Sequence, residues 1–398
     1  MKEPVKLLAP LVAVLALAAC NAGGSSTVPG APGEAASARS ATPEWQTKGL
    51  AKPACPQVTG RPTCLALIES KSGISPSVSG WAPSDFQTRY NLPSSTNGSG
   101  QIVAIVDAYD NPNVATDLAA YRTQFGLGTA NFAKYNQQGQ MKNYPRGSTG
   151  WGIEIDLDVQ MVSAACPLCT IYLVEANSSD NSDLQTAEAE AVTLGAHIVS
   201  NSWICYGSYD CVDTKDFSKP GVLYTAGTGD EGYDNIGAPA ALTSVVSVGG
   251  TVLSKNGSTY NESVWDGAGA GCATGVTKPA WQKDPSCTSR TEGDVSAIAW
   301  QVAEYDTYGY GGWFTVGGTS VATPMIAAVF ALAENAGAQD AGKKIWSLKK
   351  RKRGHELHYV STGSDGSCST YLCQAGTKQF HTYSGPAGWG TPNGVKAF

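Results

Sequence analysis

The chain has 398 residues, 42% of them hydrophobic, enough to bury a sizeable core in one large domain or two ordinary ones. A net charge of −6 excludes a large basic footprint for nucleic acid. The one strongly basic run, Lys349 to Arg353, reads as a solvated face or loop.

The N-terminus carries Lys2 and Lys6, then an apolar run from Leu7 to Ala19, then Cys20, which is the layout of an export signal too short to span a bilayer. Leu17-Ala18-Ala19-Cys20 resembles the bacterial lipobox. That resemblance implies a signal peptide over 1–19 and a lipidated Cys20 holding the protein at the bacterial cell envelope; an ordinary cleaved signal would release it as a secreted protein. Residues 20–54, rich in Gly, Ser, Ala and Pro, read as a flexible tether. From about Ser79 apolar runs alternate with helical patterns. Strands are expected at Gln101–Val106, Thr170–Glu175, His197–Trp203, Val222–Ala226 and Ser244–Val248. Helices are expected at Val114–Gln124, Glu154–Ala164, Asp183–Gly195 and from Ser320 to about Asn335, with Pro324 accommodated in a first turn. Such alternation means an α/β fold with a mostly parallel sheet covered on both faces.

Eleven cysteines are present, and setting Cys20 aside leaves ten that fall into couples close in sequence: Cys55/Cys64, Cys166/Cys169, Cys205/Cys211, Cys272/Cys287 and Cys368/Cys373. An exported chain meets oxidising conditions, so disulfides are favoured over a metal site.

Gly317-Gly-Thr-Ser-Val-Ala-Thr-Pro324 places Ser320 where a helix begins, beside unpaired N–H groups and partial positive charge suited to an oxyanion. The competing reading is a serine that only caps the helix. The base is the harder question. Of four histidines, only His197 lies between the strand-end Asp107 and Ser320, and it opens an apolar strand; His355, His358 and His381 follow the serine in a polar region. Glu154-Ile-Asp-Leu-Asp158 offers an alternative, because carboxylates four apart share one helix face and titrate as a pair. Asp156 lies on the opposite side of that helix. Thr225-Ala-Gly-Thr-Gly-Asp-Glu-Gly232 is a strand followed by a Gly-rich turn that carries Asp230.

Taken in order, these motifs resemble the sedolisin, or serine-carboxyl peptidase, family of the subtilisin-like clan. The resemblance runs from about Trp81 to Phe398, through Val103-Ala-Ile-Val-Asp-Ala-Tyr109, Asn201-Ser-Trp203, Ser247-Val-Gly-Gly-Thr251 and Gly388-Trp-Gly-Thr-Pro-Asn-Gly394. It implies a subtilisin-like three-layer α/β sandwich over 81–398 and a serine-type endopeptidase acting on polypeptides at acid pH. By resemblance Ser320 is the nucleophile, Glu154 its base, Asp158 the partner of Glu154, and Asp230 a protonated oxyanion donor. Two other readings stand beside this one: a histidine-based subtilisin relative using Asp107 and His197, and an inactive surface lipoprotein that uses the fold as a binding scaffold.

The sequence departs from the family twice. Sedolisins carry a structural calcium near the C-terminus, but the matching positions here are Tyr359 and Ser384, with only Asp365 nearby, so no calcium is expected and catalysis needs no cofactor. Residues 55–80 read as a short propeptide remnant, far shorter than family propeptides. A monomer is expected.

Overall fold

The computed structural model describes residues 1, 39–58, 60–70, 78–334, 340–376 and 382–398. The signal-peptide and Cys20 readings, and His381, lie outside the described residues.

The central sheet is built from β1 (Ile102–Ala108), β2 (Asn131–Asn136), β3 (Thr170–Ala176), β4 (Ile198–Asn201), β5 (Leu223–Gly227), β6 (Val245–Asn256), β7 (Thr259–Val264) and β8 (Val295–Ile298). Its order is β7-β6-β5-β4-β1-β3-β2, with β8 also paired to β6. Every pairing is parallel except that of β6 with β7. The helices are α1 (Val114–Phe125), α2 (Thr149–Ala165), α3 (Asn181–Thr193) and α4 (Thr319–Leu332).

Period-two alternation along β1 assigns the layers. Val103 and Ile105 face the cluster that holds Leu157, Met161, Met325 and Phe330 of α2 and α4. Ala104 and Val106 face Leu184, Ala187 and Ala191 of α3. This is the expected three-layer sandwich. Every residue of α4 is buried, so it is the central helix of its layer. The five expected disulfides are all present.

Several boundaries differ for stated reasons. The stretch His197–Trp203 is two strands, β4 and a separate strand Trp203–Tyr206 that pairs outside the central sheet. β6 runs on past Val248 to Asn256 because β7 folds back on it as an antiparallel partner. Pro324 is not in a first turn but the sixth residue of α4; it brings no N–H, so the Ser320 carbonyl loses its helical donor. The tether reading of 20–54 fails over its last part. Trp45 and Ala51 are buried with Leu67, Trp265, Ala268 and Ala299, because the few apolar residues of this polar stretch pack into a small core that later parts of the chain complete. In the basic run, Arg351 and Lys352 are exposed as expected, while the Arg353 guanidinium stacks 3.3 Å from the Trp389 ring centroid. Among the described residues, no helix is long and apolar enough to cross a membrane.

Candidate active site

The chemistry-bearing residues gather at the carboxyl ends of β1, β4 and β5, where open parallel sheets bind ligands. The strand Gly312–Gly317 leads through Gly318, whose φ of 114° only glycine adopts readily, into α4, placing Ser320 in the first turn. Ser320 is fully buried.

α2 crosses behind it. Glu154 and Asp158, one turn apart, are both fully buried and face the serine. Glu154 Oε2 accepts from the backbone N–H of Leu65 at 2.8 Å and of Ala66 at 2.7 Å. Ser320 Oγ makes no hydrogen bond at full bonding geometry, yet it lies close enough to Glu154 to favour that group's ionised form. Asp158 Oδ1 accepts from Ser202 Oγ at 2.7 Å, and the Asp158 and Glu154 carboxyls also lie within hydrogen-bonding reach of each other. A third carboxyl joins from the end of β1: Asp107 is fully buried and neither of its oxygens has a partner. Burial pushes Asp107 up to about 8. Burial first, then the charge of Asp107, holds Glu154 and Asp158 well above the usual carboxylate range. The three groups therefore titrate as a cluster that keeps protons in mild acid.

Asp230, in the loop after β5, faces the entry to α4 from the other side. Its Oδ1 accepts from Thr319 N at 2.8 Å and Thr319 Oγ1 at 2.9 Å, while Oδ2 has no partner. Burial raises its pKa to about 8. A neutral carboxylic acid at a helix N-terminus can donate to an oxyanion.

A sequence profile of the subtilase family matches residues 128–358, more than half of the chain. The chain belongs to the subtilase family. Within it, the chain is similar to sedolisin of Pseudomonas sp. (strain 101), at 25% identity over 355 residues covering 78% of this chain and 60% of that protein. It is also similar to kumamolisin of Bacillus sp. (strain MN-32), at 27% identity over 296 residues covering 63% of this chain and 51% of that protein. The chain thus matches less than two thirds of either relative's length. In fold it resembles a solved Pseudomonas sedolisin (serine-carboxyl proteinase) complexed with pseudo-iodotyrostatin, with a TM-score of 0.65 at 22% identity, covering 80% of this chain and 96% of that one. Sphericase superposes with a TM-score of 0.51 at 19% identity over 80% of this chain and 99% of that one.

In this subtilase the described histidines lie away from the serine. His197 is exposed with Nδ1 3.2 Å from the Gly221 carbonyl, His358 Nε2 is 2.8 Å from the Arg89 carbonyl, and His355 is exposed. The structure brings together all four sequence-predicted residues: Ser320, Glu154, Asp158 and Asp230. Asp107 joins them without a histidine. The sequence reading did not find Ser202, although Asn201-Ser-Trp203 follows a buried strand and a hydroxyl at such a strand end is the available signal. Leu65 and Ala66 carried no signal at all.

Asp156 points away from the serine, as its position on α2 implies, and is fully buried. It lies with Asp117 and Asp306, their ligand atoms within 4.8 Å of one another. Burial, then the charges of Asp306 and Asp117, holds Asp156 protonated well above the usual range. The calcium that the sedolisin resemblance implies does not fit the residues at the C-terminal positions. The Tyr359 hydroxyl is committed to the Thr382 carbonyl at 2.7 Å, and Ser384 Oγ accepts from Ala387 N at 3.4 Å. Of the three residues only Asp365 carries a carboxylate, and burial raises its pKa well above the ordinary value.

Proposed function

We propose that this subtilase is a serine-carboxyl endopeptidase that cuts polypeptides in mild acid. The observation that carries the reading is the buried cluster Glu154, Asp158 and Asp107 beside Ser320, with no described histidine near it. Ser320 Oγ attacks the substrate carbonyl carbon, and Glu154 takes the hydroxyl proton. Asp158 and Asp107 redistribute that proton so that Glu154 need not bear a full charge change alone. Protonated Asp230 and the α4 N-terminus stabilise the developing oxyanion. Glu154 then returns the proton to the leaving amine, and water hydrolyses the acyl-enzyme. Names of the relatives support this reading, and so does the retention of Ser320, Glu154, Asp158 and Asp230 in one site.

The remaining expectations, a lipid anchor at Cys20, export and a monomeric state, are part of the same proposal. Proteolysis of a denatured protein from about pH 2 to 8, with Ser320→Ala as control, tests it. Activity confined to mild acid and absent from the control is expected. A neutral optimum that survives Glu154→Gln contradicts it.

A further inference from the structure

On the face of α2 turned away from Ser320, carboxyls from three elements meet. Asp117 comes from α1, Asp156 from α2, and Asp306 from the last position of the strand Val302–Asp306. All three are buried, and one ligand oxygen of each lies within 4.8 Å of the other two. Calcium holds its oxygens at about 2.3–2.6 Å, so two ligands on opposite sides of one ion stand roughly 5 Å apart. An ion of that size among the three carboxylates reaches all of them.

A fourth carboxyl points to a ligand independently. Glu304 lies two residues before Asp306 on the same strand, so both side chains project from one face. It is fully buried, and neither of its carboxyl oxygens has a partner. Burial first, then the charges of Asp306 and Asp156, hold it well above the usual carboxylate range. Asp156 Oδ1 is likewise buried without a partner. Among the described residues, none of the four forms an ion pair with a lysine, arginine or histidine. Buried carboxyls of this kind need either protons or a cation. Asp117 and Asp156 lie within hydrogen-bonding reach and can share a proton. A proton on Glu304, by contrast, would leave a buried hydroxyl and a buried carbonyl unsatisfied.

The three aspartates are oriented by donors around them. Asn111 Nδ2 donates to Asp156 Oδ2 at 2.6 Å, and Thr307 donates to Asp117 through its N–H and its hydroxyl, both at 2.8 Å. Tyr308 N and Gly309 N donate to Asp306 Oδ1 at 2.6 and 2.9 Å. Each of these oxygens keeps a further lone pair, and outer donors of this type fix the direction of metal ligands. A set made only of carboxylate oxygens, without sulfur or imidazole, suits a hard cation. Magnesium keeps several of its waters, which a fully buried set does not accommodate, so calcium is favoured.

We propose that Asp117, Asp156, Glu304 and Asp306 form a calcium site, separate from the C-terminal positions Tyr359, Ser384 and Asp365. The ion displaces the protons that these carboxyls hold without it. Its role is structural. It ties α1 and α2 to the hairpin that pairs Val302–Asp306 with Gly312–Gly317. Gly312–Gly317 leads into Ser320, and α2 carries Glu154 and Asp158, so the ion fixes the serine strand against the carboxyl helix from behind.

The test reads metal content, not turnover. The full chain carrying Ser320→Ala, which prevents self-digestion, is dialysed at about pH 7 against equal calcium and magnesium, desalted, and measured by inductively coupled plasma mass spectrometry. One calcium ion per chain is expected, and stripping it with EGTA should lower Tm by about 4 °C or more. Asp306→Asn and Glu304→Gln, which keep shape, should each retain less than a tenth of that calcium while circular dichroism stays native. Asp365→Asn should retain all of it. No calcium in the parent chain, magnesium in its place, or calcium kept by both Asp306→Asn and Glu304→Gln overturns the inference. Loss of calcium with Asp365→Asn overturns it too, and this control and the parent chain decide the matter even where the other two variants do not fold. Every one of these results leaves the proposed proteolysis to its own test.

Discussion

Replacing Asp107 by Asn probes the buried carboxyl cluster through stability alone. Asp107 is fully buried, its oxygens have no partners, and burial pushes its pKa up to about 8 from an ordinary 3.8. The folded state therefore keeps a proton that the unfolded chain releases above about pH 4. The stability tied to this group is fully present below the unfolded value and is lost as pH rises from there towards 8. At about pH 7 the single-group ceiling is about 4 kcal/mol, from about 1.4 kcal/mol per unit over roughly three units. Sharing protons with Glu154 and Asp158 brings the expected loss to about 2–3 kcal/mol. Asn keeps the shape and removes the titration, and any cost of its unpaired amide is the same at both pH values and cancels. The assay is urea unfolding at about pH 4 and pH 7 in a Ser320→Ala background, which prevents self-digestion. The stability difference between the two pH values should shrink by about 2–3 kcal/mol in Asp107→Asn. An unchanged difference refutes the reasoning.

Other expectations follow from the same geometry. Asp230→Ala removes the acceptor for Thr319 N and Oγ1 together with the oxyanion donor, so urea unfolding should show a loss of about 1–2 kcal/mol and steady-state assays a kcat lower by about 10²–10³. Asp230→Asn keeps an amide donor and should retain far more of the rate. His197→Ala and His358→Ala should leave the pH profile of proteolysis unchanged, since both rings bond to distant backbone carbonyls. Gly318→Ala would drive a Cβ to 1.9 Å from the Leu65 carbonyl oxygen at a φ of 114°, so it should unseat the 63–69 segment or unfold the chain, distinguished by Ser320 labelling set against circular dichroism.

What could be read in the sequence was what local pattern encodes. The unbroken β-branched run of β1, the four-residue spacing of Glu154 and Asp158, and the Gly-Thr-Ser turn each carry their structure within a few residues. The nearby cysteine couples did the same, because short loops close easily. What escaped reading was non-local. Leu65 and Ala66 matter through backbone N–H groups that meet a helix nearly ninety residues on, and no side-chain pattern reports a backbone donor. β6 is extended by its partner β7 and not by its own apolar run. Trp45 and Ala51 are too few to mark a core in a Gly- and Ser-rich stretch, and Leu67 and Trp265, which complete that core, lie elsewhere in the chain. Asp156 was legible as lying on the other face of α2, but its surroundings were not, because Asp117 and Asp306 arrive from other elements.

The central claim is that a carboxyl cluster, and no histidine, activates Ser320. Its most direct measurement is the rate of Ser320 acylation by a fluorophosphonate between about pH 3 and 8, in the wild type, Glu154→Gln and His197→Ala. The account predicts acylation in mild acid for the wild-type site and the His197 variant and none at any pH for Glu154→Gln. Equal acylation of the Glu154 variant, or its loss with His197, contradicts the account.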